Sequence, residues 1–328
     1  MFIKEFKPFD GVHCETTATG CLTQQLGLDL SEPMLFGLGE GLGFIFWNMK
    51  IMDFPFIGGR TKPMSITTVL ANNLGLELEV KETASRKKAW ENVKTEIDLG
   101  HAVGLQLDCF HLEYFGDPIH FAGHFAAIHG YDDDTAYLVD TQPKHGATQT
   151  SLQSLADARA EKGPMAAKSL SYTLKQTGPA PDLATILPGA IARNARGFLN
   201  PPIKNFGYAG IAKTAVEIKK WFKNSSNADY EFTTTAMIME KAGTGGGIFR
   251  YIYADFLNEA HDITGLAPLK EAGTAYASIA KDWTQVANLF ETAGKSGDPE
   301  YIDEASEILK DLSKREQAAM NLLKVLDV

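Results

Sequence analysis

The chain has few of the residues that a disulfide-stabilised or metal-binding protein needs. Among its 328 residues there are only three cysteines, Cys14, Cys21 and Cys109. An odd cysteine count in a reducing compartment argues against a disulfide framework. No Cys-x-x-Cys pair occurs, which argues against a zinc knuckle or a thioredoxin-type site. The question that remains is whether one of the three thiols is chemically reactive.

Long apolar segments and basic runs are also missing. No apolar stretch reaches the roughly 18 residues that a transmembrane helix needs, and the opening residues MFIKEFKPFDGVHCETT lack the apolar core of a signal peptide. The net charge of −10 disfavours nucleic acid and anionic membrane surfaces as partners. We therefore expect a cytoplasmic protein that binds neither.

What the sequence does contain predicts two domains of different class. Residues 1–176 alternate between helical and strand patterns and predict an α+β domain, which begins with a helix at Glu15–Leu26. Pro179 and Pro181 punctuate a linker-like stretch. Residues 177–328 predict a helical domain, with helical patterns at Ile211–Lys223, Ile248–Thr264, Glu271–Ala293 and Pro299–Val325.

Cys14 directly precedes the first predicted helix. A thiol at a helix N-terminus feels the positive end of the helix dipole, which favours the thiolate. The backbone N–H groups of the same turn lack acceptors within the helix, so they are available to an oxyanion. The opposing interpretation is a small buried hydrophobe, which is the commonest role of a lone cysteine. We interpret Cys21 and Cys109 as structural in this way.

A predicted hairpin supplies two further candidates. Strands at His124–Tyr131 and Thr135–Asp140 flank a turn of three aspartates, so His124 and Asp140 are expected directly opposite each other. The order of a cysteine, a histidine on one strand and an aspartate on the next is the papain-like order. We therefore predict Cys14 as nucleophile, His124 as base and Asp140 as its orienting residue, although an aspartate at a strand end is more often a turn former.

Three runs carry a resemblance to a known family. They are His13-Cys14-Glu15-Thr16-Thr17-Ala18, the glycine-rich run Leu35 to Phe44, and His120-Phe121-Ala122-Gly123-His124-Phe125 with Gly130-Tyr131-Asp132-Asp133 after it. These resemble the N-terminal domain family named after butirosin biosynthesis protein H. The run Gly243 to Leu257, GTGGGIFRYIYADFL, with the helices after it, resembles the uncharacterised DUF4872 type of C-terminal domain.

The resemblance implies a papain-like fold and acyl transfer. The named member moves an aminoacyl group from an acyl carrier protein thioester to an amine, which would make a carrier protein and an amine acceptor the partners and would require no cofactor. Carried over, Cys14 would take the acyl group and His124 would be the base. Asp140 is followed by Thr141-Gln142, where Asp-Pro is expected in many relatives. An amidase or peptidase with the same site and a non-catalytic binding module stay open as alternatives.

Further side chains are candidates for substrate contact. The glycine cluster Gly243–Gly247 precedes a helix, so an anion with Arg250 beside it is one interpretation and a flexible linker is the other. The spacing of His120, His124 and His129 does not fit a zinc site, since no third ligand with typical spacing is visible. The glycine-rich run after Leu35 is interpreted as a loop that allows close backbone approach. The residues that we expect to line the site are His13, Glu15, Thr16, Glu40, His120, Gly245, Gly246 and Arg250.

The position of Cys14 at a helix start generates a labelling prediction. Its thiol should have a pKa below the free value of about 8.5, so iodoacetamide should modify it ahead of Cys21 and Cys109. Mass spectrometry of digested protein after a short exposure measures the order. Equal, slow modification of all three thiols would remove the case for a reactive nucleophile.

Overall fold

The computed structural model of the protein describes residues 1–49, 52–116, 120–142, 146–163, 165–241 and 245–326. The chain divides into two compact units. The first consists of Met1–Leu35 and Pro63–Pro181, and the second of Phe36–Lys62 and Asp182–Val328. The boundary that the sequence predicts after residue 176 lies close to Pro181, where the chain passes for the last time from the first unit to the second. The assignment of Phe36–Lys62 to the second unit differs from the predicted division, in which both domains are continuous.

The secondary structure is α+β. The helices are α1 (Cys14–Gln25), α2 (Glu32–Leu38), α3 (Ser65–Leu74), α4 (Arg86–Asp98), α5 (Leu152–Ala160), α6 (Leu183–Leu199), α7 (Gly207–Asn224), α8 (Ala228–Glu240), α9 (Gly247–Thr264), α10 (Ala267–Ser296) and α11 (Glu300–Leu323). The strands are β1 (Leu42–Trp47), β2 (Phe56–Arg60), β3 (Leu76–Lys81), β4 (Val103–Leu107), β5 (His124–Tyr131), β6 (Thr135–Val139), β7 (Ala147–Ser151) and β8 (Ser171–Gln176). Among the described residues, no helix is both long and apolar enough to cross a membrane.

The first unit is built on an antiparallel sheet whose strands follow the order β3-β8-β4-β5-β6-β7. Alternate residues of β4, β5 and β6 point to one face, where they pack with apolar residues of α4 and α5 in a buried cluster. The other face meets α1, whose Thr19 hydroxyl lies 2.9 Å from the hydroxyl of Tyr172 on β8. This arrangement places the N-terminus of α1 and the first residue of β5 in the same unit.

Helix and strand patterns in the sequence predict these elements well. The predicted bounds of β5, His124–Tyr131, agree with the structure residue for residue, and the predicted helix Glu15–Leu26 is α1 shifted by one residue. Gly75 ends α3 in the left-handed conformation with φ of 64°, as a helix C-cap glycine does. Local residue chemistry is therefore enough to define most of the first unit.

The glycine-rich run after Leu35 is the main exception. The sequence pattern predicts a loop, and the structure has the end of α2 followed by β1. Both elements use glycine for close packing. A Cβ on Gly37 would lie 2.2 Å from the ring of Phe256, and one on Gly43 would lie 3.0 Å from the backbone of Arg60 on the paired strand β2. Only glycine, which has no Cβ, allows such close approaches. The many glycines of this run therefore indicate tight packing and not an irregular backbone.

The second unit is mainly helical, with the β1-β2 hairpin added to it. The long helix α10 packs against α8, α9 and α11, and its Trp283 side chain is completely buried. Trp283 donates its indole N–H to Glu316 Oε1 at 2.6 Å, and the guanidinium of Arg250 lies 4.8 Å from the centre of the Trp283 ring. The ion pair of Arg250 and Glu316 is therefore buried within this helical unit.

The buried pair of Arg250 and Glu316 generates a stability prediction. Glu316→Ala should lower the free energy of unfolding by about 3–5 kcal/mol, because it leaves a buried guanidinium without its counter-charge. Glu307→Ala, which breaks an exposed pair with Lys310, is the matched control and should cost about 1 kcal/mol or less. Urea unfolding followed by circular dichroism measures both. Equal losses in the two variants would contradict the role assigned to the buried pair.

Candidate active site

The predicted contact between His124 and Asp140 is present in the structure. His124 is the first residue of β5 and Asp140 directly follows β6. The imidazole Nε2 lies 2.7 Å from the Asp140 Oδ2, and both side chains are buried. The imidazole N–H thus donates to a carboxylate that water does not reach, and the second ring nitrogen is left for another partner.

The register that brings the two side chains together differs from the predicted one. Ala127 pairs with Val139, so continuing this register places Ala126, not His124, opposite Asp140. The predicted direct opposition is therefore wrong by two residues. The turn between the two strands is centred later in the chain than predicted, which shifts the pairing of β5 with β6. A bulge in β5 reverses this shift by only one residue. His124 reaches Asp140 diagonally from the same face of the sheet, a separation that a long side chain spans.

Two further donors hold the Asp140 carboxylate. The hydroxyl of Tyr114 donates to Oδ2 at 2.7 Å, and the backbone N–H of Thr141 donates to Oδ1 at 2.6 Å. Burial raises the pKa of the Tyr114 hydroxyl well above its usual value, and the Asp140 charge raises it further, so Tyr114 stays a hydrogen-bond donor. The carboxylate is consequently fixed from three sides, and its orientation toward His124 is set before any substrate binds. Sequence reasoning missed Tyr114, whose role has no local sequence signal.

The charge on Asp140 determines the protonation of His124. Burial by itself would lower the pKa of the imidazole, but the Asp140 carboxylate and the nearby Cys109 sulfur raise it well above its ordinary value. Asp140 therefore favours the imidazolium form of His124, which burial alone would disfavour. Such a group donates a proton to a leaving group and returns to the neutral form afterwards.

Cys14 is the first residue of α1, whereas the sequence predicts a helix that begins one residue later, at Glu15. The preceding residue, His13, has an extended backbone and no side-chain capping bond to the helix, while Thr17 N–H makes the first helical bond to the His13 carbonyl at 2.9 Å. The N–H groups of the first turn have no acceptor within the helix. The Cys14 side chain is 7 % exposed, and so its sulfur lies at an almost closed surface.

Glu32 fixes the backbone that leads into Cys14. Its carboxylate accepts the N–H groups of Val12 and His13, each at 2.9 Å, and the hydroxyl of Thr16 at 2.7 Å. Burial raises the pKa of this carboxyl group, and the same three donors lower it in part. Glu32 on α2 therefore holds the residues on both sides of Cys14. No pattern within the sequence links it to the cysteine.

Cys109 is a second thiol at the site, although the sequence indicates only a structural role for it. It begins a short 3-10 helix after β4 and is 4 % exposed. Leu107 pairs with His124 across β4 and β5, so the residues after Leu107 lie beside the first residue of β5. Burial raises the pKa of the Cys109 thiol, and its interaction with the His124 imidazole lowers it in part. The strand pairing is the signal that could have identified Cys109.

Cys14 and His124, the predicted nucleophile and base, share no hydrogen bond among the described residues. Within the described residues, the imidazole interacts with Asp140 and Cys109, and Cys14 is close enough to influence the Cys109 thiol electrostatically. The catalytic roles of Cys14, His124 and Asp140 stay predictions. No group of three or more His, Cys, Asp or Glu side chains in the described part of the chain could hold a metal ion.

The expected substrate-binding residues near Cys14 serve the fold of this region. Glu15 is completely buried, and its carboxylate accepts the backbone N–H of Thr67 at 3.1 Å in the first turn of α3. Thr16 donates to Glu32, and the His13 ring nitrogen Nδ1 lies 3.1 Å from the Thr16 hydroxyl. The three side chains thus connect α1 to its surroundings, which is a structural role that does not require a substrate.

His120 and Glu40 lie in different units. The His120 side chain is 59 % exposed, stacks on Phe110 with a ring separation of 4.1 Å and lies 3.3 Å from Asp108. It is therefore accessible beside the Cys109 turn. Glu40, in the second unit, accepts from the Arg193 Nε at 2.8 Å. As a substrate contact, His120 stays a prediction, and so does Glu40.

The anion site predicted before the helix at Gly247 is filled by the chain itself. The carboxylate of Glu240 accepts the Gly247 N–H at 2.8 Å and the Thr284 hydroxyl at 3.0 Å. Gly246 has φ of 65°, and a Cβ there would lie 2.2 Å from Glu240 Oε1. An internal carboxylate therefore lies at Gly246 and Gly247, where the sequence predicts an external anion, and a role for Gly245 in substrate binding stays a prediction. Gly243 and Thr244 lie outside the described residues.

Arg250 is likewise unavailable to a ligand. It is completely buried, its Nε and Nη2 donate to the two Glu316 oxygens at 3.1 and 3.2 Å, and its Nη1 donates to the Gly59 carbonyl at 3.2 Å. The expectation that Arg250 binds an anion is wrong, since the guanidinium already has its counter-charge. The proposed orientation of Gly243–Gly247 toward Cys14 stays a prediction.

The electrostatics of His124 generate a titration prediction. In Asp140→Asn the His124 pKa should fall below about 6.5, because burial then acts without the opposing carboxylate. The stability that the raised pKa contributes is fully present below about pH 6.5 and is lost as the pH rises through the folded-state value. NMR titration of the imidazole protons measures the His124 pKa in the wild type and in Asp140→Asn. His129, whose pKa burial lowers, is the internal reference and should not shift. A His124 pKa unchanged by the substitution would contradict the assigned cause.

Comparison with known families is consistent with the two-part organisation. Residues 13–141 match the family described as Butirosin biosynthesis protein H, N-terminal, and residues 153–323 match the domain of unknown function DUF4872. No curated protein matches the chain. The first match begins one residue before Cys14 and ends one residue after Asp140, so it includes the whole candidate site. The chain belongs to the DUF4872 family, here joined to an N-terminal domain of the butirosin biosynthesis protein H family.

Proposed function

We propose that the protein is a cysteine-dependent acyltransferase of papain-like fold that acts in a biosynthetic pathway. The donor is an acyl or aminoacyl thioester on a carrier protein, and the acceptor is an amine. The observation that carries this proposal is the buried ion pair of His124 and Asp140, which lies beside the Cys109 thiol, while Cys14 is close enough to influence Cys109 electrostatically. The family of the N-terminal domain, named for a biosynthesis protein, supports a biosynthetic reaction.

The reaction divides into two steps that share one intermediate. In the first, the Cys14 sulfur attacks the thioester carbonyl, the C–S bond to the carrier breaks, and the His124 imidazolium protonates the departing thiol. In the second, the amine attacks the Cys14 thioester, the C–S bond to Cys14 breaks and His124 accepts the amine proton, which releases the amide and restores the Cys14 thiolate and the His124 imidazolium. The N–H groups in the first turn of α1, which the helix itself leaves without acceptors, are suited to stabilise both oxyanions.

The choice of Cys14 over Cys109 as nucleophile has a physical basis. A thiol must ionise to attack, and burial raises the pKa of Cys109, which disfavours its thiolate. Cys14 has the helix N-terminus next to it, and the partial positive charge there favours an anion. The proposal requires the Cys14 sulfur to come within hydrogen-bond reach of His124, and such contacts frequently tighten only when substrate binds.

A non-catalytic binding module is the second candidate, favoured by the missing hydrogen bond between Cys14 and His124. Against it stands the cost of burying the ion pair of His124 and Asp140, together with the two additional donors on Asp140. The remaining alternative, an amidase or peptidase, forms the same acyl-enzyme and differs only in using water as the acceptor. Only a kinetic measurement therefore separates it from the transferase.

Acyl transfer to an amine is tested by the partition of the acyl-enzyme. Given acyl-pantetheine thioesters, the wild type should accumulate an adduct that persists in buffer and yields amide when amines are added. His124→Ala should form the adduct about 10²–10⁴-fold more slowly. His101→Ala removes an imidazole that is half exposed and pairs with Glu96, and this control should retain the wild-type rate. Intact-mass spectrometry and product analysis give the adduct and the ratio of amide to free acid.

Two results would overturn the proposal. Discharge of the adduct by water at the same rate with and without amine, across a broad acceptor panel, identifies a hydrolase. Absence of any adduct across a broad panel of thioesters, in a folded protein that binds those same thioesters, identifies a binding module.

A further inference from the structure

Arg159 is a buried cation without an acidic partner among the described residues. It lies in the last turn of α5 and is 4 % exposed. Its Nη1 donates to the Ala89 carbonyl and its Nη2 to the Ser169 carbonyl, both at 3.0 Å, while the buried Nε has no hydrogen-bond partner in the part of the chain that the structure describes. A guanidinium has five N–H donors. Two neutral carbonyls therefore leave most of its hydrogen-bonding capacity and all of its charge uncompensated.

The acidic side chains on and beside α5 are engaged elsewhere. Asp157 accepts from Arg86 and from Gln153, and Glu161 pairs with His111 at 2.6 Å. The carboxyl end of α5 contributes only a partial negative charge, about half an elementary charge. Burial accordingly lowers the pKa of Arg159 to about 10, with no opposing charge. An isolated buried charge is costly and indicates an ion or ligand that completes its environment.

The Arg159 side chain lines a cavity between α4 and α5. The cavity has a volume of about 90 Å³, which exceeds the space of a single water molecule, about 10–15 Å³ by the same measure. Its polar lining consists of Arg86, Arg159 and Ser169, and its apolar lining of Ala89, Trp90, Leu152, Leu155 and Ala156. It shares no residue with the His124 site. The lining thus combines two arginines and a serine with five apolar side chains.

We propose that this cavity is a binding site for a small organic carboxylate of about two to four carbons. The carboxylate binds the Arg159 guanidinium, whose planar donors match two carboxylate oxygens. The short hydrocarbon part lies against Trp90 and the leucines. A carboxylate fits the lining better than phosphate does, because phosphate would place polar oxygens against the apolar wall. Binding supplies the counter-charge that the fold does not provide.

The test uses the full-length protein in acetate, propionate, butyrate or phosphate, each compared with chloride at equal ionic strength. Propionate or butyrate should raise the melting temperature in a saturable way, as a ligand that binds only the folded state does. The same titration should change the fluorescence of Trp90. Trp90→Phe should lose that fluorescence change while it keeps the thermal shift, so the two readouts are independent.

Variants at Arg159 assign the effect to this residue. Arg159→Met should weaken carboxylate binding by about 10–100-fold, the effect of losing a charged hydrogen bond, without loss of stability in chloride. Arg159→Lys keeps the positive charge and should retain part of the carboxylate binding. It replaces Arg159→Met in the test if the methionine variant does not fold. Lys175→Met is the matched control, because it removes an exposed cation of the same unit, and it should leave binding unchanged.

Three outcomes would overturn the proposal. One is a wild-type melting temperature and fluorescence that are the same in every anion. Another is a carboxylate effect that persists in Arg159→Met. The third is stabilisation by phosphate but not by carboxylates, which would reject the organic carboxylate as the ligand class.

Discussion

The contact between the His124 imidazole and the Asp140 carboxylate is the constraint on which the candidate site depends. Two charges withdrawn from water are stable only when their remaining hydrogen-bonding groups are satisfied, and Tyr114 and Thr141 N–H meet that condition for Asp140. Asp140 thereby raises the pKa of His124 in a setting where burial alone would lower it. The register of β5 against β6 brings the two side chains within hydrogen-bond distance, so the pairing of these strands positions the ion pair.

The same principle organises the rest of the described chain. Glu32 complements the backbone before Cys14, Glu15 the start of α3, and Glu240 the start of α9. Each is a carboxylate that accepts N–H groups where a helix begins, which is the favourable end for a negative charge. In the second unit Glu316 neutralises the buried Arg250. Internal carboxylates thus complement these three helix starts and Arg250, whereas Arg159 is a buried cation to which the described chain gives no carboxylate.

Sequence patterns predict those features of the structure that depend on residues close together in the chain. The bounds of β5, the position of Cys14 at the start of α1 and the contact of His124 with Asp140 follow from helix and strand periodicity with one turn between two strands. The strand register does not, because neither the exact centre of the turn nor the bulge has a composition signal. Cys109, Tyr114 and Glu32 come to the site from other elements, and pairings of that kind depend on the tertiary fold. The predictions for Arg250 and Gly246 are wrong for the same reason, since their partners Glu316 and Glu240 lie outside the motif.

The identity of the thiol that carries the acyl group tests the central claim most directly. Wild type, Cys14→Ala and Cys109→Ala are each incubated with one acyl-pantetheine thioester, digested at low pH and mapped by tandem mass spectrometry. The account predicts the acyl group on the Cys14 peptide in the wild type and in Cys109→Ala, and no acyl-enzyme in Cys14→Ala. An acyl group on Cys109 that forms in the wild type and persists in Cys14→Ala would contradict it.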